Sequence, residues 1–223
     1  MIKDLRPRRG KEILPPMIEE GEHEHQDFKF AISDARKIAR SISAFANNDG
    51  GRLLVGVKDN GVIAGVRSDE DIYVVEQAAE MYCVPPQEID VRAYQVEGNV
   101  VYQVDIHPAG IGKPVQVVEE GNRRRAYYRV ADENISAHSL MVKAWMAQRK
   151  ALGNASGILI TEAEQRLLAV VGECGDEGAS LNELHTMMRV SRATAERALI
   201  NAYMMGLIDF ASNGNEFTAL PRN

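Results

Sequence analysis

The most constraining feature of the sequence is an apolar stripe that ends abruptly at two glycines. Between Ile32 and Asn47, apolar side chains recur at helical spacing and predict a helix with one buried face. Gly50 and Gly51 should end this helix, because glycine adopts a positive φ without strain. The apolar run that follows at residues 53–57 predicts a strand that is buried on both faces. A helix packed on such a strand requires a fold that mixes helices with a sheet.

The remainder of the first 150 residues alternates predicted strands with predicted helices. The Asn60-Gly61 pair predicts a tight hairpin, because both residues accept the positive φ that such turns need. Two more helices are predicted, at residues 69–82 and 136–150. Four further strands are predicted, at residues 90–96, 100–106, 114–118 and 126–130. We therefore predict an α+β fold.

Changes in composition divide the chain into four predicted segments. Residues 1–20 lack periodicity and are predicted to be a basic arm, whose cations are Lys3, Arg6, Arg8, Arg9 and Lys11. Residues 153–160 contain a run of glycine, serine and small residues that predicts a linker. The predicted domains are therefore residues 21–152 and residues 161–223. A chain of 223 residues is long enough for two domains of modest size.

The second predicted domain contains two capping boxes and the spacing of a helix-turn-helix. Three helices are predicted after residue 160, followed by a hairpin, and the second and third helices are separated by a short turn. This segment resembles bacterial winged helix-turn-helix regulators. The resemblance implies that the third helix enters the major groove of DNA. The residues that it offers there are Arg189, Arg192, Thr194 and Arg197.

The charge of the chain counts against DNA binding. The formal net charge is −6, and residues 161–223 contain five basic and nine acidic side chains. Because cationic side chains drive binding to the phosphate backbone, an acidic chain needs a local cluster of them. Such a cluster is predicted on the third helix. The alternative is a winged helix that mediates dimerisation or docks another protein.

The amino-terminal part contains a series of short motifs in a fixed order. They are Glu22-x-x-x-x-Asp27-Phe28-Lys29, Ala44-Phe45-Ala46-Asn47 with Gly50-Gly51, Gly56-Val57-x-Asp59-x-Gly61, and Tyr127-x-Arg129-Val130. Together they resemble the Schlafen/AlbA-like domain, also called the divergent AAA group, over about residues 10–135. The resemblance implies a DNA-binding domain, which in bacterial members is often followed by a helix-turn-helix.

The same resemblance raises the possibility of a nuclease. In Schlafen-type nucleases, carboxylates that correspond to Glu22, Asp27 and Asp59 bind a divalent metal and cut RNA. Carboxylate oxygens suit Mg²⁺ or Mn²⁺. Asp27 stands where the family has glutamate, which shortens that ligand by one methylene. The alternative is that Glu22 and Asp27 pair with Lys29 or cap a helix, while Asp59 closes the hairpin turn.

Two further interpretations concern phosphate groups. The chain has no Gly-x-x-x-x-Gly-Lys-Ser/Thr loop, so the nucleotide binding that the older family name implies depends only on the corner at residues 47–51. A more basic surface is predicted at Arg123, Arg124 and Arg125, where guanidinium groups could pair with phosphates. Tyr127 beside them could stack on a base. An exposed hairpin with solvated arginines is the alternative.

These observations lead to one expectation and its alternatives. We expect a cytoplasmic, homodimeric, DNA-binding regulator of transcription that has no cofactor. The alternatives are a metal-dependent endoribonuclease and an ATP-binding or protein-assembly module. The two cysteines, Cys83 and Cys174, are far apart in sequence and predict neither a disulfide framework nor a metal knuckle. No apolar run is long enough to span a bilayer, so no membrane association is expected.

Overall fold

A computed structural model describes residues 5–30, 32–68, 70–153, 160–212 and 216–222. The chain divides into two compact units. The first unit lies within residues 1–109 and 115–135, and the second lies within residues 110–114 and 136–223. Both mix helices with strands, in agreement with the predicted α+β class.

The first unit contains most of the strands. Its described helices are α1 (Leu14–Glu19), α2 (Ala35–Asn47) and α3 (Glu70–Gln77), the last continued by a π-helical turn (Ala78–Tyr82). Its described strands are β1 (Arg8–Arg9), β2 (Gln26–Lys29), β3 (Gly51–Val55), β4 (Cys83–Val84), β5 (Ile89–Val96), β6 (Asn99–Ile106), β7 (Gln116–Val118), β8 (Arg124–Val130) and β9 (Glu133–Ser136).

These strands form two sheets within the described residues, with orders β1-β5-β6-β3-β2 and β4-β7-β8-β9. In the first sheet β1 and β2 pair in parallel with β5 and β3, whereas the pairs around β6 are antiparallel. Strand β3 lies inside this sheet, and its residues Leu53, Leu54 and Val55 are completely buried. The prediction of a strand buried on both faces is therefore confirmed.

Helix α2 forms where the apolar stripe predicted a helix, but it begins three residues later. Asp34 is its N-cap, and one carboxylate oxygen accepts a hydrogen bond from the Arg36 backbone N–H at 2.9 Å. The buried face of the helix includes Ile38, Ile42 and Phe45. These side chains join the main core of the first unit, together with residues of β3, β6 and α3.

Residues 5–20, the described part of the predicted basic arm, contain regular secondary structure and do not form an irregular arm. Arg8 and Arg9 form an edge strand opposite Tyr94 and Gln95 of β5. Helix α1 follows, with proline in its first turn, where the missing N–H costs nothing. Leu14 is completely buried in a second small core. A two-residue strand and a six-residue helix are too short to produce a periodicity that could be recognised in the sequence.

The second unit contains four described helices and a hairpin. They are α4 (Ser139–Gly153), α5 (Glu162–Cys174), α6 (Leu181–Met187), α7 (Arg192–Met204) and the antiparallel strands β10 (Ile208–Ser212) and β11 (Phe217–Pro221). Both predicted capping boxes are present, at the starts of α5 and α6. The order of three helices and a hairpin after residue 160 is therefore the one that the sequence predicted.

Helix α4 belongs to the second unit, whereas the sequence placed it in the first domain. Its Leu140 is buried in the core of the second unit, and Lys143 forms an ion pair with Glu196 of α7. Most of the predicted linker, residues 154–159, lies outside the described residues. The second unit nevertheless begins before this segment, because α4 packs with its helices. None of the helices in the described ranges has both the length and the hydrophobicity that a bilayer crossing requires.

Candidate functional site

The structure brings together two of the three carboxylates that the sequence proposed as metal ligands. Asp27 is buried on β2, and its Oδ2 lies 2.7 Å from the Lys29 Nζ. The Glu22 Oε1 accepts a hydrogen bond of 2.8 Å from the Phe28 backbone N–H. Burial, and then the hydrogen bond with Asp27, raise the pKa of Glu22, which the Phe28 N–H partly offsets. The ion pair of Asp27 with Lys29 is the structural role that the sequence analysis gave as the alternative to metal binding.

Asp59 does not complete a metal site with this pair. It is exposed in the turn after β3. Across the part of the chain that the structure describes, no three His, Cys, Asp or Glu side chains come close enough to hold a metal ion. Because Asp27 is ion-paired with Lys29 and the described residues supply no third ligand beside it and Glu22, the residues present do not fit Mg²⁺ or Mn²⁺, which prefer several free oxygen ligands.

Arg129, the arginine of the Tyr-x-Arg-Val motif, is buried near Asp27. Its guanidinium donates hydrogen bonds to the His23 carbonyl oxygen at 3.0 Å and to the Asn134 Oδ1 at 3.1 Å. It also lies 4.7 Å from the centre of the Phe45 ring. Asp27 is 4.0 Å away. Burial lowers the pKa of Arg129. This arginine therefore connects loops and strands inside the first unit.

The Ala-Phe-Ala-Asn motif also has a structural role. The Asn47 side chain donates to the carbonyl oxygens of Val115 and Tyr127, both at 2.8 Å, and accepts from the Val115 N–H at 2.7 Å. Asn48 accepts from the Arg129 N–H at 3.1 Å, and the Ser43 hydroxyl donates to the Val115 carbonyl oxygen at 2.8 Å. Polar side chains at the end of α2 thus satisfy backbone groups of β8 and of the segment that leads into β7.

The glycine corner after α2 is a helix stop. Gly50 has φ +81°, and its N–H bonds to the Phe45 carbonyl oxygen at 3.0 Å. The corner lies at the carboxyl end of α2, where the helix dipole is negative and disfavours a phosphate. The geometry therefore gives no support to the idea that residues 47–51 hold a nucleotide.

The hairpin of β7 and β8 exposes the predicted arginines but not Tyr127, which was expected to stack on a base. Arg123, Arg124 and Arg125 are exposed, as a surface for phosphates requires. Tyr127 is buried, and its hydroxyl donates to the Glu119 Oε1 at 2.6 Å. Its ring is covered by the Arg40 guanidinium at 5.8 Å, so it cannot stack on a base. Arg40 was not predicted from the sequence, although its four-residue spacing from Arg36 on a helix indicated a shared face.

The residues of the second unit that were predicted to contact DNA differ in their exposure. Arg189, Arg192 and Arg197 are all exposed. Thr194 is half-buried and belongs to the cap of α7, because its N–H donates to the Ser191 Oγ at 3.1 Å. Arg192 also donates a hydrogen bond to Asn182 of α6. Three exposed arginines thus lie in the turn before α7 and on α7 itself, whereas Thr194 contributes to the cap of the helix.

Comparison with known proteins gives a family match and several similar solved structures, among them the two that follow. The family model described as Schlafen, AlbA_2 matches residues 22–138. None of the curated proteins matches the chain. The DIP2311 protein from Corynebacterium diphtheriae is 20% identical with a TM-score of 0.42, and the match covers 67% of this chain and 34% of that one. This chain thus spans about a third of that protein's length. The N-terminal domain of a RecG-related protein from Nitrosomonas europaea is 22% identical with a TM-score of 0.42, and the match covers 56% of this chain and 91% of that domain.

Proposed function

The chain belongs to the Schlafen, AlbA_2 family, and from this premise we propose that it is a DNA-binding regulator of transcription. The family suggests nucleic-acid binding for the first unit. The observation that carries the proposal lies in the second unit, where α7 presents exposed arginines and its acidic side chain is neutralised. The proposed mode is that of a winged helix-turn-helix, with α7 in the major groove.

The arrangement of α6 and α7 supports this mode. The two helices are separated by residues 188–191, and the hairpin of β10 and β11 follows α7. Arg189 lies in the turn between them, with a φ of +54°. Arg192 is the first residue of α7. In helix-turn-helix proteins, the amino-terminal residues of the second helix contact the base edges.

The local charge supports the proposal despite the acidic composition of the chain. Between residues 189 and 204 the sequence has three arginines and one acid, Glu196. Glu196 forms an ion pair with Lys143 of α4. Arg192 and Arg197 therefore retain their positive charge at the surface, where they could pair with phosphates.

Substitution of these two arginines tests the proposal. We expect R192Q/R197Q to weaken binding of the full chain to a fluorescent mixed-sequence duplex of about 30 base pairs by about tenfold or more, since contacts to phosphates and bases are lost. The measurement is fluorescence anisotropy at about 0.1 M salt, because affinity depends on the salt concentration.

R166Q is the matched control for this experiment. Arg166 is an exposed arginine of α5 that pairs with Glu162 in the same unit. Its loss removes one positive charge from the same unit but should leave the affinity nearly unchanged. An unaltered affinity in R192Q/R197Q, or an equal loss in R166Q, would remove α7 from the contact surface.

The proposal includes a homodimer. Helix-turn-helix dimers place their recognition helices about one turn of DNA apart, which lets two modest contact surfaces act on one site. Sedimentation equilibrium of the full chain with and without the duplex tests this part separately. A protein that stays monomeric in both conditions would contradict it.

A further inference from the structure

A charged pocket of about 370 Å³ lies in the first unit, beside the amino-terminal part of α2 and the loop and strand that follow β7. We name it the arginine pocket. Its lining residues are Asp34, Arg36, Arg40, Glu119, Glu120, Arg123, Arg125 and Tyr127. Four guanidinium groups thus converge on one depression, opposed by three carboxylates.

Two of these carboxylates are already occupied by the protein itself. Glu119 accepts hydrogen bonds from both the Nε and the Nη2 of Arg40, at 2.8 and 2.7 Å, and a third from the Tyr127 hydroxyl. Asp34 accepts from the backbone N–H groups of Arg36 and Lys37 as the cap of α2. The charge of Glu119 is therefore balanced by Arg40, whereas Asp34 is held by backbone groups at the start of α2, and the four arginines exceed the three carboxylates by one positive charge.

The third carboxylate is only a loose partner. The side chain of Glu120 is 90% exposed, and its Oε1 lies 3.7 Å from the Arg36 Nη1. An ion pair with such exposure contributes little and is easily replaced. The pocket therefore keeps a net positive charge that could bind an anion from solution.

The remaining arginines have unused donors. The Arg36 Nε is buried and has no hydrogen-bond partner in the described residues, while the Arg36 guanidinium lies 5.4 Å from the centre of the Tyr82 ring. Within the same described ranges, no side-chain hydrogen bond or ion pair holds Arg123 or Arg125, although the charge of Arg125 acts on the Glu119 carboxylate. A buried donor without an acceptor costs free energy, so native proteins usually supply an acceptor.

Strand geometry explains why the pocket uses only two of the three consecutive arginines. Side chains of neighbouring residues in a strand point to opposite faces. Arg125 and Tyr127, both on β8, accordingly line the pocket with Arg123, whereas Arg124 does not. The three arginines that looked equivalent in the sequence therefore differ in what they can bind.

We propose that the arginine pocket binds a phosphate group. The planar guanidinium offers two parallel N–H donors that match two phosphate oxygens, and Arg36, Arg123 and Arg125 converge on one site. This inference deepens the proposed function, because it names the group that the first unit recognises in nucleic acid. It does not depend on contacts made by α7.

Titration with inorganic phosphate at constant ionic strength tests the site. Arginine Nε–Hε signals of the full, isotope-labelled chain are followed by NMR. We expect the signals of Arg36, Arg123 and Arg125 to shift together, and R123Q and R125Q each to weaken the response of Arg36 by about tenfold.

R124Q is the matched control, because Arg124 is also exposed on the same strand but lies outside the pocket. It should leave the response of Arg36 to phosphate unchanged. Absence of a common shift, or a loss in R124Q as large as that in R125Q, would overturn the proposal. Far-UV circular dichroism of each variant confirms that the fold is retained.

Two nucleotide probes distinguish the sources of the phosphate. A short oligothymidylate with free hydroxyl ends offers only phosphodiesters, whereas thymidine monophosphate offers a monoester. Saturation of the Arg36 signal by either probe supports the proposal and identifies the source. A response to inorganic phosphate alone would refute recognition of nucleic acid in this pocket. If that happened while R192Q/R197Q still weakened duplex binding as expected, only this inference would fail.

Discussion

Glu119 joins two groups at the wall of the arginine pocket, the Arg40 guanidinium and the Tyr127 hydroxyl. The side chain is 14% exposed and is bonded to two nitrogens of Arg40 and to the Tyr127 hydroxyl. The hydrogen bonds from Arg40 lower the pKa of Glu119. Burial, followed by the hydrogen bond to Glu119, raises the pKa of Tyr127 to about 12. One carboxylate thus fixes the direction of Arg40 and keeps the Tyr127 ring inside the unit.

We expect E119Q to destabilise the first unit at neutral pH by about 1–3 kcal/mol, because it replaces charge-assisted hydrogen bonds. Since the folded pKa of Glu119 is lowered, its contribution is present above the unfolded pKa of 4.5 and is lost as the pH falls through the folded value. The difference between wild type and variant should therefore shrink on acidification. Urea unfolding followed by far-UV circular dichroism, at about pH 7 and about pH 3, measures it.

E120Q provides the comparison for this prediction. Glu120 is the neighbouring acid with a side chain that is 90% exposed, and its replacement should change stability by less than about 0.5 kcal/mol. An E119Q deficit that is the same at both pH values would contradict the assignment of the lowered pKa to this ion pair.

At the level of elements, the corner between α2 and β3 determines how the first unit is assembled. The Asn47 side chain satisfies backbone groups of β8 and of the segment before β7, while Gly51 begins β3 directly beside the helix end. A Cβ on Gly51 would lie 2.2 Å from the Phe45 Cδ1 and 2.9 Å from the His25 carbonyl oxygen. Phe45 is completely buried and cannot move away. The second glycine of the motif is therefore required by close packing.

We expect G51A to destabilise the first unit by about 1–3 kcal/mol, the usual cost of forcing an extra carbon into a packed core. Urea unfolding by circular dichroism gives the loss. G172A is the contrasting variant, because Gly172 lies in α5 and a Cβ there meets nothing within 4 Å. It should stabilise the second unit by roughly 0.5–1 kcal/mol, the propensity difference between glycine and alanine in a helix. Equal stability of G51A and wild type would show that the corner can open without cost.

The sequence predicted elements well where local periodicity or capping determines them. Helices α2, α5, α6 and α7 follow from apolar stripes and caps, and β5 and β6 from alternating and apolar runs. Strands β1, β2, β4 and β9 were not predicted, because two to four residues become strands only through distant partners. Contacts between distant parts of the chain also explain why the roles of the site residues were not predicted correctly. The metal ligands were implied by the family resemblance, and the stacking role of Tyr127 and the equivalence of three arginines were inferred from residue type. Burial and strand direction decide all three.

For the whole molecule, the acidic composition and the proposed DNA binding must be reconciled. The formal net charge is −6, yet the arginines of α7 reach the surface and lie within a few residues of one another. At about 0.15 M salt the screening length is about 8 Å, so a phosphate near α7 interacts mainly with adjacent side chains. At about 0.01 M salt the length is about 30 Å, and the acids of the whole chain then repel DNA as well.

This contrast predicts the salt dependence of duplex binding. Above about 0.1 M salt, the logarithm of the affinity should fall with the logarithm of salt concentration by about 0.9 for each phosphate that an arginine neutralises. R192Q should therefore reduce the slope by about one, while R166Q should not. Below about 0.05 M the plot should flatten, because repulsion by the net negative charge offsets the gain from counterion release. Anisotropy titrations of the three proteins across this range provide the test. A slope that R192Q leaves unchanged would mean that Arg192 does not touch the phosphate backbone, and a plot that stays straight to low salt would mean that the distant acids have no influence.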